Sequence, residues 1–460
     1  MAQDRVLDAL MDVVRATRQN PNDPVTDRAA KRFILDSLGT AFGGFYEDTP
    51  TSVRHLLRSA PVGDGGCSVI GDTAKVVPAM AAFANSAMIR YLDLNDSYGS
   101  TVGVGHPSDY IAAAMATAER VGADGAQLLA AVNLSYEVFC RLTDATKIGV
   151  DKWDHVINGA VAAAASSAYL LGLSDEQTRH AMSLALTPNL ALQVTRLGTL
   201  SMWKGCAAGN ACRNGIFAAD VAAAGISGPE APFEGRGGLF EAIGKEPDMV
   251  LMRREGMRPA ILDCHIKRYP SGYFSQGAVE AAENVRAEFA GSEDIERVVV
   301  GTFEFGSRVM AGDREKWHPT TRETADHSIP YAVATALVNG TLHRSDFDEA
   351  SLNRPEVLRL LDHLEVVVDP ECESAWPEAC MNKVTVWDKS GNERSSTVRY
   401  YRGHALNPLS DEEVEAKFAD QADAVIGTAR AKELAQLVWR LDQLSDVSDL
   451  FRATVPDAKR

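Results

Sequence analysis

The chain has 460 residues, 45% hydrophobic and 24% charged, with a formal net charge of −17; this is ordinary globular composition in a chain long enough to build two cores rather than one. So acidic a surface repels nucleic acid and anionic membranes, and the sequence has no run of about 18 apolar residues to cross a bilayer. Met1 to Pro24 has no apolar stretch of the secretory kind, and the seven cysteines are scattered without CxxC spacing, so a cytoplasmic protein with reduced thiols is expected rather than disulfides, a zinc site or an iron–sulfur cluster.

Residues 1–265 read as helix after helix. Asp27 is a candidate cap for a helix whose apolar positions include Ala30, Phe33, Ile34 and Leu38, spaced by three and four. Segments 78–92, 108–121, 124–142 and 159–172 are rich in Ala and Leu, residues that let helices approach closely. Ser174 to Gln177 is a capping-box signature for a helix running to about Leu186. A further helix fits 204–224, ended near Gly225, and no alternating strand stands out in this part.

The pattern changes at about residue 266. A helix near 275–289 precedes a β-branched run at 297–303, and Leu364 to Val368 is another. Lys383 to Trp387 and Ser396 to Tyr401 flank Lys389-Ser390-Gly391-Asn392, a hairpin turn signal. A helix at 327–338 lies among these strands. The tail returns to helix, with a capping box at Ser410 and Glu413 and a helical stripe over 429–444. The expected architecture is mainly α: a large helical domain from residues 1–265 and 405–460, and a smaller α+β lid domain from 266–404.

An acidic chain that binds an anion must concentrate cations and imidazoles locally. Four segments do so. Asp93 to Tyr98 is followed by Gly105-His106-Pro107-Ser108-Asp109, which puts His106 in a loop before a helix, with Ser108 a candidate cap; a histidine there is a candidate proton carrier. His155 stands at the entrance of an Ala-rich helix, with Asp154 or Asn158 as alternative cap. Lys204 opens an apolar helix, where its charge opposes the helix dipole. Lys267 and Arg268 precede Tyr269-Pro270 and a helix start at the expected domain junction, suited to holding carboxylates. Each segment also has a bland reading as caps, turn residues or solvated charge. Gly235 to Gly238 lacks phosphate-loop spacing, and His318 and His327 lack metal-ligand spacing.

These segments, in this order, resemble the MmgE/PrpD family of 2-methylcitrate dehydratases and cis-aconitate decarboxylases. The resemblance rests on Leu35-Asp36-Ser37-Leu38-Gly39, the Asp93–Tyr98 and Gly105–Asp109 stretches, Lys204 with Gly209-Asn210, Lys267 to Pro270, and Arg322 to Tyr331. It implies a cleft between the domains, with Asp93, His106 and His155 in the catalytic positions. Lys204, Lys267, Arg268, Ser97 and Tyr269 would bind substrate. It further implies a homodimer acting on a di- or tricarboxylate without metal or cofactor. Ser271-Gly272-Tyr273-Phe274 departs from the family, where polar residues are usual, so the substrate pocket is expected to differ. The expected reaction is loss of water after proton abstraction beside a carboxylate, with His106 moving the proton and Asp93 orienting it. Decarboxylation, epimerisation and a non-catalytic binding role are the alternatives.

Overall fold

The structure, a computed structural model, describes residues 4–58, 62, 65–100, 103–148 and 152–456. It is mainly α. Helices Arg5–Gln19, Pro24–Gly43, Pro78–Tyr91, Ile111–Val121, Gly125–Thr146, Val156–Leu170, Asp175–Leu186 and Trp203–Ala223 pack into one layered bundle. Small residues bring these helices close. A Cβ on Gly209 would lie 2.5 Å from the Phe83 carbonyl oxygen, and one on Gly215 would lie 2.5 Å from Ala163 Cβ. The Trp203–Ala223 helix therefore nests against both Pro78–Tyr91 and Val156–Leu170.

The two helices Asp411–Ile426 and Thr428–Trp439 return to this bundle. Phe418 meets Phe42 with ring centroids 6.3 Å apart, and Lys417 donates to the Leu94 carbonyl at 2.8 Å. One apolar core accordingly gathers residues from Val6 to Ile266 and from Leu409 to Ala453, and a second gathers residues from Tyr269 to Tyr401.

The second core lies on a four-stranded mixed sheet. Its strands are β1 (Ile295–Thr302), β2 (Leu364–Val368), β3 (Asn382–Asp388) and β4 (Glu393–Val398), in the order β2-β1-β3-β4. β1 runs parallel to β2, with Val298 opposite Leu364, and antiparallel to β3, with Val300 opposite Val384. Helices Gln276–Arg286 and Ile329–Asn339 pack together, the first also against β3 and β4.

Several local readings are corrected. The second helix starts earlier than Asp27, because Asp23 caps it ahead of Pro24 and accepts from Val25 and Thr26; Asp27 instead accepts from Asn133. Strands do occur before residue 265, as two short ladders: Cys67–Ser68 with Lys75–Val76, and Tyr98–Ser100 with Gly103–Gly105. They are too short to show alternation in sequence. Ser108 caps nothing; its N–H is taken by the Asp96 carboxylate at 3.1 Å, and a 3₁₀ turn, Pro107–Tyr110, precedes the α-helix. The 396–401 strand sits earlier, at Glu393–Val398.

Candidate active site

The site begins where the Pro78–Tyr91 helix ends. Asp93 has φ 51°, in the left-handed region that costs a side-chain-bearing residue energy. The turn buries its carboxylate completely, among cations. Arg90 lies 2.9 Å away, three residues back on the same helix, and Lys204 lies 3.2 Å away. Lys267 donates to both the carboxylate and the Asp93 carbonyl, and His327 Nδ1 is 2.9 Å from the second carboxylate oxygen. Burial alone would raise the pKa of Asp93, but Arg90, Lys267 and Lys204 hold it well below the usual carboxylate range. Asp326 extends the network, pairing with Lys204 and lying 2.8 Å from His327 Nδ1. Burial pushes Lys267 down to about 8, against the pull of Asp93.

A few residues on, the chain forms the hairpin that carries His106. His106 Nδ1 lies 2.7 Å from the Asp96 carbonyl oxygen. A carbonyl only accepts, so Nδ1 carries the proton and Nε2 is a free acceptor. Asp96 is itself fixed: its carboxylate accepts from Tyr136 Oη at 2.8 Å and from the Ser108 N–H. Burial, with Arg90 and Lys267 nearby, pulls His106 well below the ordinary histidine range, so the ring is neutral. Ser97 Oγ is 3.4 Å from the same Nδ1.

His155 stands at the start of the Val156–Leu170 helix, its ring centroid 5.5 Å from that of His106. Its Nε2 is 3.6 Å from Asp154, whose carboxylate is in turn held by Arg196 at 3.0 Å. Burial, with Arg196 and Arg90 nearby, brings the His155 pKa down to about 3.

These groups open onto a cavity of about 340 Å³. Arg90, Asp93, His106, His155, Arg196 and His327 line one side, and Arg308 and Asp313 stand on it as well. The rest of the wall is mostly apolar, with Gln193 and Tyr273 among Val104, Leu197, Phe274, Phe305, Val309 and Met310. In that wall a Cβ on Gly272 would lie 2.7 Å from Met310 Cε, so the methionine fills the space beside the glycine.

The structure thus brings Asp93, His106 and His155 to one cavity and packs Ser97 against His106. Lys204 and Lys267 are present but stand behind Asp93, bonded to its carboxylate rather than lining the cavity. Arg268 and Tyr269 are elsewhere: Arg268 is half-exposed and lies 3.3 Å from Glu283, to which Tyr269 Oη also donates at 2.6 Å. The group that orients His106 is the Asp96 carbonyl, not Asp93.

Sequence reasoning missed Arg90, Arg196, Arg308 and Asp326, and dismissed His327 as lacking ligand spacing. Arg90 had a signal, its i,i+3 spacing to Asp93; Arg196 and Arg308 lie in no motif. Asp93, Asp326 and His327 bring ligating atoms within 4.8 Å of one another. Arg90, Lys204 and Lys267 already neutralise those carboxylates, so a divalent ion would sit among fixed positive charges.

Comparison with known proteins gives a consistent picture. The MmgE/PrpD N-terminal domain matches residues 8–252 and the MmgE/PrpD C-terminal domain matches residues 269–443. The cis-aconitate decarboxylase of Homo sapiens is 27% identical, over 93% of this chain and 90% of that protein. The 2-methylcitrate dehydratase of Escherichia coli (strain K12) is 28% identical, over 81% of this chain and 80% of its own length. The cis-aconitate decarboxylase of Aspergillus terreus is 26% identical, over 95% and 92%.

Proposed function

Because the chain belongs to the MmgE/PrpD family, we propose that it is a lyase acting on a citrate-like polycarboxylate, removing a proton beside a carboxylate and expelling water. The observation that carries this reading is the fixed tautomer of His106: Nδ1 is bound to the Asp96 carbonyl, and Nε2 is left as a neutral base at a cavity lined by arginines.

In this scheme His106 Nε2 takes the proton, and the C–H electrons pass through an enediolate to a C=C bond as the hydroxyl leaves. Burial holds His155 and His327 below the ordinary histidine range and hence neutral, so the proton that the departing oxygen takes is the one His106 has removed, delivered by the His106 imidazolium. Arg90, Arg196 and Arg308 bind carboxylates and stabilise the developing charge, so the step needs no metal or cofactor. Lys204 and Lys267 act through Asp93, keeping it ionised beside the reacting centre.

His106→Gln is expected to lower kcat/KM by at least about 100-fold with the fold intact by circular dichroism; near-normal turnover would remove His106 from the mechanism. A turnover screen over di- and tricarboxylates separates the related reactions. Alkene absorbance without gas supports a dehydratase, and carbon dioxide release supports the decarboxylase named among the relatives. Solvent deuterium uptake without net loss of water supports an epimerase.

The family resemblance also carries the expectation of a homodimer. Leu192, Val194, Leu197, Trp203 and Phe217 are exposed and supply apolar surface for it. Sedimentation equilibrium at twice the chain mass is the expected result; a monomer at micromolar concentration would rule it out.

A further inference from the structure

The two sides of the cavity differ in chemistry, and only one suits citrate. Arg90, Arg196, His106, His155 and His327 supply the cationic and imidazole part of the lining, and Leu197, Phe274, Phe305, Val309 and Met310 supply an apolar part, with Gln193, Tyr273 and Asp313 also on the wall. Phe274 and Phe305 meet edge to face at 5.3 Å, and Phe305 stacks on Trp376 at 5.8 Å, so this wall is rigidly backed. Met310 fills the space over Gly272 and adds another apolar group where a polar side chain would reach in. A bare tricarboxylate has only its two methylene groups to set against apolar side chains. Against this wall it would leave apolar side chains in contact with charge or trapped water, and a cavity of about 340 Å³ is of a size that encloses larger ligands.

We infer that the substrate is a tricarboxylate carrying an apolar substituent longer than methyl. The carboxylates lie on the arginine–histidine side, and the substituent lies against Phe274, Phe305, Val309 and Met310. Arg308 stands with its guanidinium 5.2 Å from the Phe305 ring centroid, so a cation borders the apolar residues. This inference rests on the polycarboxylate lyase reading of the same cavity.

The test measures kcat/KM for citrates alkylated at the carbon that loses its proton, with hydrogen, methyl, propyl and pentyl substituents. Burying a methylene is worth about a fourfold gain, so propyl should exceed methyl by at least about tenfold. Val309→Thr, which keeps the side-chain shape but replaces a methyl with a hydroxyl, should lower the propyl-to-methyl ratio by at least about threefold. Turnover of the short members with no gain from chain length overturns this inference and leaves the lyase reading standing. An unchanged ratio in Val309→Thr overturns the assignment of the substituent to this wall. No turnover of any member overturns both.

Discussion

Asp93 is the residue on which the site turns. Its buried carboxylate is the shared partner of Arg90, Lys204 and Lys267. Asp93→Asn would leave buried cations without their partner, at a cost of about 3–5 kcal/mol. A urea denaturation midpoint unchanged from wild type would show that the charges are not jointly buried. His106 makes a second prediction. Its pKa is lowered, so the neutral base present at pH 7 persists as pH falls through the ordinary histidine value of 6.5. The acid limb of kcat/KM should therefore lie below pH 6.5; a limb centred at or above that value contradicts the assignment. At this scale the sequence made His106, His155 and Asp93 legible, because histidines at helix entrances and an aspartate in a glycine-flanked loop are local signals. Arg196 and Arg308 were not legible, since only the fold brings them to the cavity. Arg268 misled because adjacency to Lys267 does not give it the same direction: Lys267 points to Asp93 and Arg268 to Glu283.

Among the elements, the Trp203–Ala223 helix depends on its glycines. A methyl on Gly209 meets the backbone carbonyl of Phe83, which cannot rotate away. Gly209→Ala should destabilise by about 1–3 kcal/mol through overpacking, read as a lower Tm; an unchanged Tm would mean the two helices are free to separate. The Tyr98–Gly105 hairpin is braced by the bridge from Ser97 to His265. There His265 stacks on His404 with centroids 4.2 Å apart, and each ring accepts a backbone N–H at Nδ1, from Ala405 and Leu406. Burial brings His404 down to about 4. A depressed value means that the unfolded chain takes up the proton first, so stability is lost as pH falls from 6.5 towards 4. Wild type should lose about 1–2 kcal/mol relative to His404→Asn between pH 7 and pH 5; parallel stability curves would refute this. The capping boxes at Ser174 and Ser410 were legible and cap as read, because a capping box is complete within four residues. The hairpin was not legible, because its pairing is short and its bracing comes from His265, far along the chain.

At the scale of the molecule, the first helices and the last close one apolar core, and the segment between builds another around a mixed sheet. Asp326, His327 and the Tyr273–Asp313 wall come from that middle segment, while His106, His155 and Arg196 come from the helical bundle. The acidity of the chain is overridden at the cavity, where arginines and imidazoles outnumber carboxylates. Composition called for such a local reversal; the motifs located His106 and His155, and the fold alone brought in the arginines and His327. The apolar wall followed no recognisable motif beyond Gly272 and Phe274, because Phe305, Val309 and Met310 reach the cavity only through packing in the second core. The most direct test of the central claim is proton NMR in D₂O of wild type and His106→Gln with citrate, 2-methylcitrate and its propyl homologue. Wild type should exchange the proton beside the carboxylate and form the alkene, and His106→Gln should do neither at a comparable rate. Exchange and alkene formation undiminished in His106→Gln, or no exchange with any of the three acids in wild type, would contradict it.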